Sequence, residues 1–467
     1  MNRNVLPVWS GLATAGLLGF LCAARAAEPL SISAAWERLQ RANESLQASR
    51  AEVDRRTAER AATRSLAQPQ IELTAAQTWI SDPITIDLDP IRSVILKLHP
   101  TVPAGAVPPF LLDVQNNSFL KGQATAFWPL YAGGRIHAAQ RAGAAGEAEA
   151  RAAFRQTENS LFGELVRRYY ALQLARTVLA TRTLVLTGVE LHLQQAVRLE
   201  AEGFIARAER LHADVARAEA RREKQKAERH VEIAGIALAG LLAADSSAPV
   251  PPPASALFVV TAPLEEAATF IAAGAAHQPA LATLAARRAQ ASEGIKAEMG
   301  RLRPEVYLFG AKELNRGDIT LLEPDWAAGI GVRFSLWDRT DRPNRIRAAR
   351  ALERRVSLLE ADTSRQLRTL IDKNHREVLT AQDQFASLDA TLTLAREHLR
   401  VRQAAFAEGQ GTSLEVVDAQ LALARVETER ARAAFDFVTA LAALLESTGQ
   451  PARFFTYEAG ADQRISP

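Results

Sequence analysis

The chain has 467 residues, 48% of them apolar, with 56 Lys+Arg against 53 Asp+Glu and a formal net charge of +3. That balance argues against a nucleic-acid binder, which carries a basic excess. The only cysteine, Cys22, falls in an expected leader, so the mature chain has no disulfide, no thiolate nucleophile and no cysteine metal ligand.

Residues 1–26 fit a signal peptide: Arg3, an apolar run from Gly11 to Ala24, then Ala24-Arg25-Ala26 as a small-x-small cleavage site. The run is shorter than the roughly 20 apolar residues of a membrane-spanning helix. Leu21 stands where a lipoprotein signal has a small residue, so acylation of Cys22 is not expected, and an intact mass decides it. No later run of about 18 apolar residues follows. The exported chain is expected to be either soluble or a β-barrel.

Proline divides what remains. None occurs from Leu130 to Ala248 or from Asn344 to Gln450, and both stretches are rich in good helix formers. Shorter helical stretches run over about 33–66 and 264–302. Landmarks recur in the same order: Arg135-Ile136-His137-Ala138-Ala139 with Arg345-Ile346-Arg347-Ala348-Ala349, and Glu202-Gly203 with Glu408-Gly409. We therefore expect a first repeat over 27–247, a proline-rich linker over 248–263, a second repeat over 264–449 and a C-terminal tail over 450–467. The first copy carries the longer loop.

Leu165, Leu172, Leu179, Leu186 and Leu193 recur every seven residues, as do Ile371, Val378, Phe385, Leu392, Leu399 and Phe406. A strict heptad keeps one stripe on a partner helix and imposes a left-handed supercoil. From Gly134 to Gly203 such a helix is roughly 105 Å long, more than a compact domain needs. The pattern breaks at Gly203 and Gly409, where glycine supplies the left-handed conformation past a helix end. Each copy is expected to be a long helical hairpin with that glycine at its tip.

Two short segments precede each hairpin, about 69–80 with 118–131 and 304–315 with 326–337. The last alternates, with Ala328, Ile330, Val332, Phe334 and Leu336 on one face and Ala327, Gly329, Gly331, Arg333 and Ser335 on the other. Each has about the length of a tilted transmembrane strand. Trp79, Trp128, Trp326 and Trp337 sit at or near strand ends, as an aromatic girdle does. Packing of tryptophan in a soluble core is the alternative. Four strands cannot close a barrel, and open edges are not tolerated in lipid. Two copies give 8 strands and three give 12, the wider suiting a conduit.

Three motifs resemble the TolC-type outer membrane efflux proteins: Trp128-Pro129-Leu130-Tyr131-Ala132-Gly133-Gly134-Arg135-Ile136 at a strand–helix junction; its poorer copy Phe334-Ser335-Leu336-Trp337 with Asn344-Arg345-Ile346-Arg347-Ala348; and Phe406 to Gln420 at a hairpin tip. The resemblance spans Ile32 to about Gly449. It implies a mainly α fold with membrane β: an internally duplicated unit of coiled-coil hairpins and four transmembrane strands. Three copies make a 12-stranded β-barrel and a 12-helix periplasmic tunnel. It further implies a passive exit duct in the outer membrane lipid, loaded by a periplasmic adaptor and an inner-membrane transporter and opened at the helix tips. Pro129, Gly133, Gly134 and Arg135 match the junction. Glu415 and Asp418, with Glu209 in the first copy, match acids that ring the closed aperture. Phe406 and Gly411 replace the aromatic-and-arginine latch of the best-known member.

Glu415 and Asp418 are three apart and share a helix face. In a trimer they make rings of like charge that attract cations and suit a divalent ion. The competing reading is local: Thr412-Ser413-Leu414-Glu415 is a capping box, and Asp418 is solvated surface. The eight histidines contain no i, i+3 or i+4 pair of the metal-binding kind. Without a phosphate loop, nucleophile elbow or triad, neither an enzyme nor a cofactor is expected. A periplasmic adaptor and a soluble structural coiled coil are the rival readings; the first needs one hairpin, and the second has no use for four strands. The lumen is expected to be small and polar, and drugs, metal ions and polypeptides all remain open as cargo.

Overall fold

The computed structural model describes residues 29–243, 251–315, 324–336 and 341–467. The expected signal peptide, part of the linker and Trp337 lie outside the described residues. In chain order the elements are α1 (Ile32–Ala42), α2 (Glu44–Arg64), β1 (Gln70–Trp79), β2 (Ile84–Asp87), α3 (Asp89–Leu98), β3 (Leu111–Gln115), β4 (Ser118–Ala132), α4 (Arg135–Ala201), α5 (Arg207–Leu241) and β5 (Leu257–Val259). There follow α6 (Ala267–His277), α7 (Pro279–Gly300), β6 (Glu305–Glu313), β7 (Trp326–Arg333), α8 (Arg342–Ala407), α9 (Ser413–Ser447), α10 (Arg453–Ala459) and β8 (Gln463–Ile465).

Two helices set the length. α4 has 67 residues and α8 has 66, so each is roughly 100 Å long at 1.5 Å per residue. The heptad stripe holds each against its neighbours. Leu165, Leu172, Ile371, Val378, Phe385, Leu392 and Phe406 are buried, and Leu179, Leu186, Leu193 and Leu399 are half-buried. α5 folds back on α4, α9 on α8, and α4 packs on α9. Nearer the sheet, α2 and α7 take the places of the returning helices, α2 on α4 and α7 on both α4 and α8. Four helices therefore stand side by side at either level. Arg60 of α2 reaches Glu147 of α4 at 2.8 Å, tying the upper layer laterally.

Both hairpins turn the same way. Past α4, Gly203 (φ +82°) donates to the Glu200 carbonyl and Phe204 to the Leu199 carbonyl. Past α8, Gly409 (φ +72°) donates to Phe406 and Gln410 to Ala405. This paired pattern at a left-handed glycine satisfies the last helical carbonyls.

The main core sits midway, where the pairs exchange. Phe162, Tyr169, Tyr170, Phe258, Phe270, Phe437 and Phe454 are buried together, with edge-on ring contacts such as Trp36–Phe162 at 5.1 Å. Tyr169 donates to the Leu30 carbonyl at 2.6 Å and accepts from the Ser255 amide. Residues 450–467 belong to this girdle: Phe454 of α10 is buried in it, and β8 pairs with β5.

The four long strands form one antiparallel sheet in the order β1-β4-β6-β7. β1 and β7 are its edges. The longer loop of the first copy is itself ordered: β2 pairs with β3, and the amphipathic helix α3 lies between them.

Candidate functional site

Three places carry the expected functional residues: the sheet, the strand–helix junction and the hairpin tips. In the sheet, registered partners share a face. Ile71, Leu73 and Trp79 of β1, Leu120 and Trp128 of β4, Leu308 of β6, and Trp326, Ile330 and Val332 of β7 fall on one side and are exposed. Glu72, Thr74, Gln123, Thr125, Glu313 and Arg333 fall on the other. Gln123 donates to Glu313 across β4 and β6 at 2.8 Å. An apolar exposed face opposite a polar one is the signature of a sheet with lipid on one side and water on the other.

Trp79 ends β1 opposite Ser118, and Trp326 begins β7 opposite Lys312, so both lie at the end of the sheet far from the helices. Trp128 lies near the helical end, where its indole donates to the Ala67 carbonyl at 2.9 Å. The polar face differs from the small surface expected. A Cβ on Gly329 would meet the Phe309 ring at 3.0 Å, and one on Gly331 the Tyr307 ring at 2.5 Å. The glycines are places for rings from the neighbouring strand, and the Arg333 guanidinium lies 5.3 Å from the Tyr307 centroid.

At the junction, Pro129 pairs with Tyr307 and Tyr131 with Val306, a bulge that skips Leu130. A bulge accommodates a proline that cannot donate to the ladder. Gly133 (φ +65°) and Gly134 (φ +87°) then turn the chain into α4. A Cβ on Gly133 would stand 2.2 Å from the Gly300 carbonyl oxygen at the end of α7. Arg135 pairs with Glu305 at the start of β6. The two strand–helix connections are thus packed directly on each other.

At the tips, Thr412 caps α9. Its hydroxyl accepts from the Glu415 amide at 3.3 Å, and the Glu415 carboxylate accepts from the Thr412 amide at 3.1 Å. Glu415 also faces Arg402 of α8 at 3.5 Å. Asp418, one turn on, is exposed. Glu209 belongs to the first hairpin yet serves the second: its carboxylate accepts from the Ser413 amide at 2.8 Å. Two neighbours, His192 and Gln420, have no role in the sequence reading. His192 of α4 is buried, with Nε2 at 2.5 Å from the Ser413 hydroxyl and its ring 4.5 Å from that of Phe406. Gln420 of α9 donates to the Val185 carbonyl at 3.3 Å and fills the space left by Gly188. A glycine in mid-helix was the one available signal, because it marks a close approach.

The outer membrane efflux protein family profile matches residues 36–244 and 272–450. The chain belongs to that family, and its place is the outer membrane with a long periplasmic extension. It is 27% identical over 175 residues to outer membrane protein TolC of Vibrio cholerae serotype O1, covering 37% of this chain and 40% of that relative. Among solved structures it resembles CusC (TM-score 0.73, 13% identity, 91% of this chain and 93% of the other). It also resembles the outer membrane protein VceC of Vibrio cholerae (TM-score 0.71, 14% identity, 90% and 96%). At these identities the structures share the fold: a mainly helical chain with a few long strands.

Proposed function

We propose that three copies of this chain close a 12-stranded barrel over a 12-helix periplasmic tunnel, and that the assembly is the passive exit duct of a tripartite efflux or type I secretion system. The observation that carries this reading is the sheet. One face is apolar, the outer sides of its edge strands β1 and β7 are unpaired among the described residues, and lipid tolerates no open edge. Pairing β7 of one copy with β1 of the next removes every edge. Three copies leave a lumen, whereas an eight-stranded barrel is filled by its own side chains. An adaptor or a soluble coiled coil has no use for such a sheet.

The periplasmic end is where an adaptor and an inner-membrane transporter load the duct, and Gly203, Gly409 and Thr412 shape the tips that meet them. Asp418, exposed on α9, and Glu415, shared between its cap and Arg402, form the acidic ring of the aperture when three copies converge; Glu209 stands behind them as a strut. The ring is tested by single-channel recording of Asp418→Asn with Glu415→Gln in lipid bilayers. Loss of cation selectivity and of divalent block supports it; unchanged selectivity and block refute it. The duct itself is tested by fractionation. The protein sediments with the outer membrane and resists carbonate extraction, and release into the soluble fraction contradicts the reading.

A further inference from the structure

We propose, resting on the duct reading, that His192, Ser413 and Glu209 form a proton-released clasp that locks the two hairpin tips of one subunit together. All four long helices contribute. His192 lies on α4, is 4% exposed, and contacts the Ser413 hydroxyl at the first residue of α9. Phe406 of α8 covers its ring. Glu209 of α5 accepts from the Ser413 amide. The surroundings are a small apolar cluster of Ala196, Ala213, Phe406 and Val416. The contact joins the first hairpin to the second, so any opening that moves one tip away from the other must break it.

The clasp suits a neutral imidazole. Burial pushes the His192 pKa down, and the Glu209 carboxylate opposes this without overcoming it. Two cations on the packed helices are engaged elsewhere. Arg210 of α5 pairs with Glu200 and Asp214, Arg402 of α8 with Glu415 of α9. His212 of α5 is exposed, and His398 of α8, also exposed, contacts Arg402. In separated tips the ring is hydrated and titrates near its ordinary value of about 6.5. The separated state therefore takes up a proton first. The clasp is intact above about pH 6.5 and loosens as pH falls below it. The ratio of separated to joined tips rises up to about tenfold for each unit by which the two pKa values differ.

The test exploits the lack of any cysteine after Cys22. Spin labels at Phe204→Cys and Gln410→Cys, both on exposed tip residues, report the intrasubunit distance by pulsed electron resonance. Labelled subunits are diluted into unlabelled assemblies in detergent. Between about pH 7.5 and 5.5, the long-distance population rises in the otherwise wild-type protein and stays flat in His192→Gln. It rises further in Glu209→Gln, which loses the charge that tolerates an imidazolium. Should His192→Gln fail to assemble, Ser413→Ala carries the test by raising the separated population already at neutral pH. A distance distribution that ignores pH in the wild type, or a pH response kept in His192→Gln, overturns the proposal; so does a Ser413→Ala population that stays at the wild-type level. The distance is read whether or not the assembly conducts, so failure of the duct reading shows separately in fractionation and conductance.

Discussion

Single atoms decide several of these contacts. Gly188 and Gln420 are the sharpest case, because a Cβ on Gly188 would lie 1.8 Å from the Gln420 amide nitrogen. Gly188→Ala is expected to destabilise the assembly by about 1–3 kcal/mol through overpacking. In a Gln420→Ala background the sign reverses, and the same change stabilises by up to about 1 kcal/mol through helix propensity. Denaturant titration of the four variants measures the coupling; additive effects contradict the packing. Gly133→Ala combines a left-handed φ with a carbonyl clash, so it is expected to abolish assembly, whereas Gly105→Ala, with nothing near its Cβ, leaves assembly unchanged on native gels. The sequence showed Glu415 as a capping residue and as a gate candidate, and the geometry finds it already engaged in the cap. The service of Glu209 to the other hairpin was illegible, since 204 residues separate it from Ser413 and no local pattern encodes such a pairing.

At the scale of elements, periodicity told most. The heptads and the two glycines located both hairpins, because a buried stripe and a left-handed turn each leave a local signature. The alternation of β7 came through for the same reason over Trp326–Arg333, while Phe334, Ser335 and Leu336, expected to continue it, lie past the end of the strand. α3 stands within the expected loop, and its sequence signals are Asp89-Pro90 at the start and Ile91, Val94, Ile95 and Leu98 at helical spacing. Its neighbours β2 and β3 have only four and five residues, too few for a period to stand out. At the second junction, Asp338, Arg339 and Thr340 lie outside the described residues. The two tips also differ in a testable way. α9 has a full capping box, while α5 begins after Ala206, an N-cap residue that makes no side-chain hydrogen bond. Thr412→Ala is expected to cost about 0.5–2 kcal/mol and to speed amide exchange in the first turn of α9. Equal acceleration at the start of α5 would contradict a local cap.

The whole molecule is built as a wall segment. Four helices stand abreast at each level, and four strands continue them into a sheet with one exposed apolar face and one polar face. The sequence carried the duplication, and the proposal that copies join follows from it, because an open edge in lipid is forbidden whatever the details. It did not carry the aromatic lining of the polar face, which arises only when Tyr307 and Phe309 meet Gly331 and Gly329 across the register. The most direct measurement is native mass spectrometry of the protein extracted from outer membranes in detergent, paired with planar-bilayer recording. An assembly of three chains that conducts ions is expected. A single-copy species that stays in solution without detergent contradicts it.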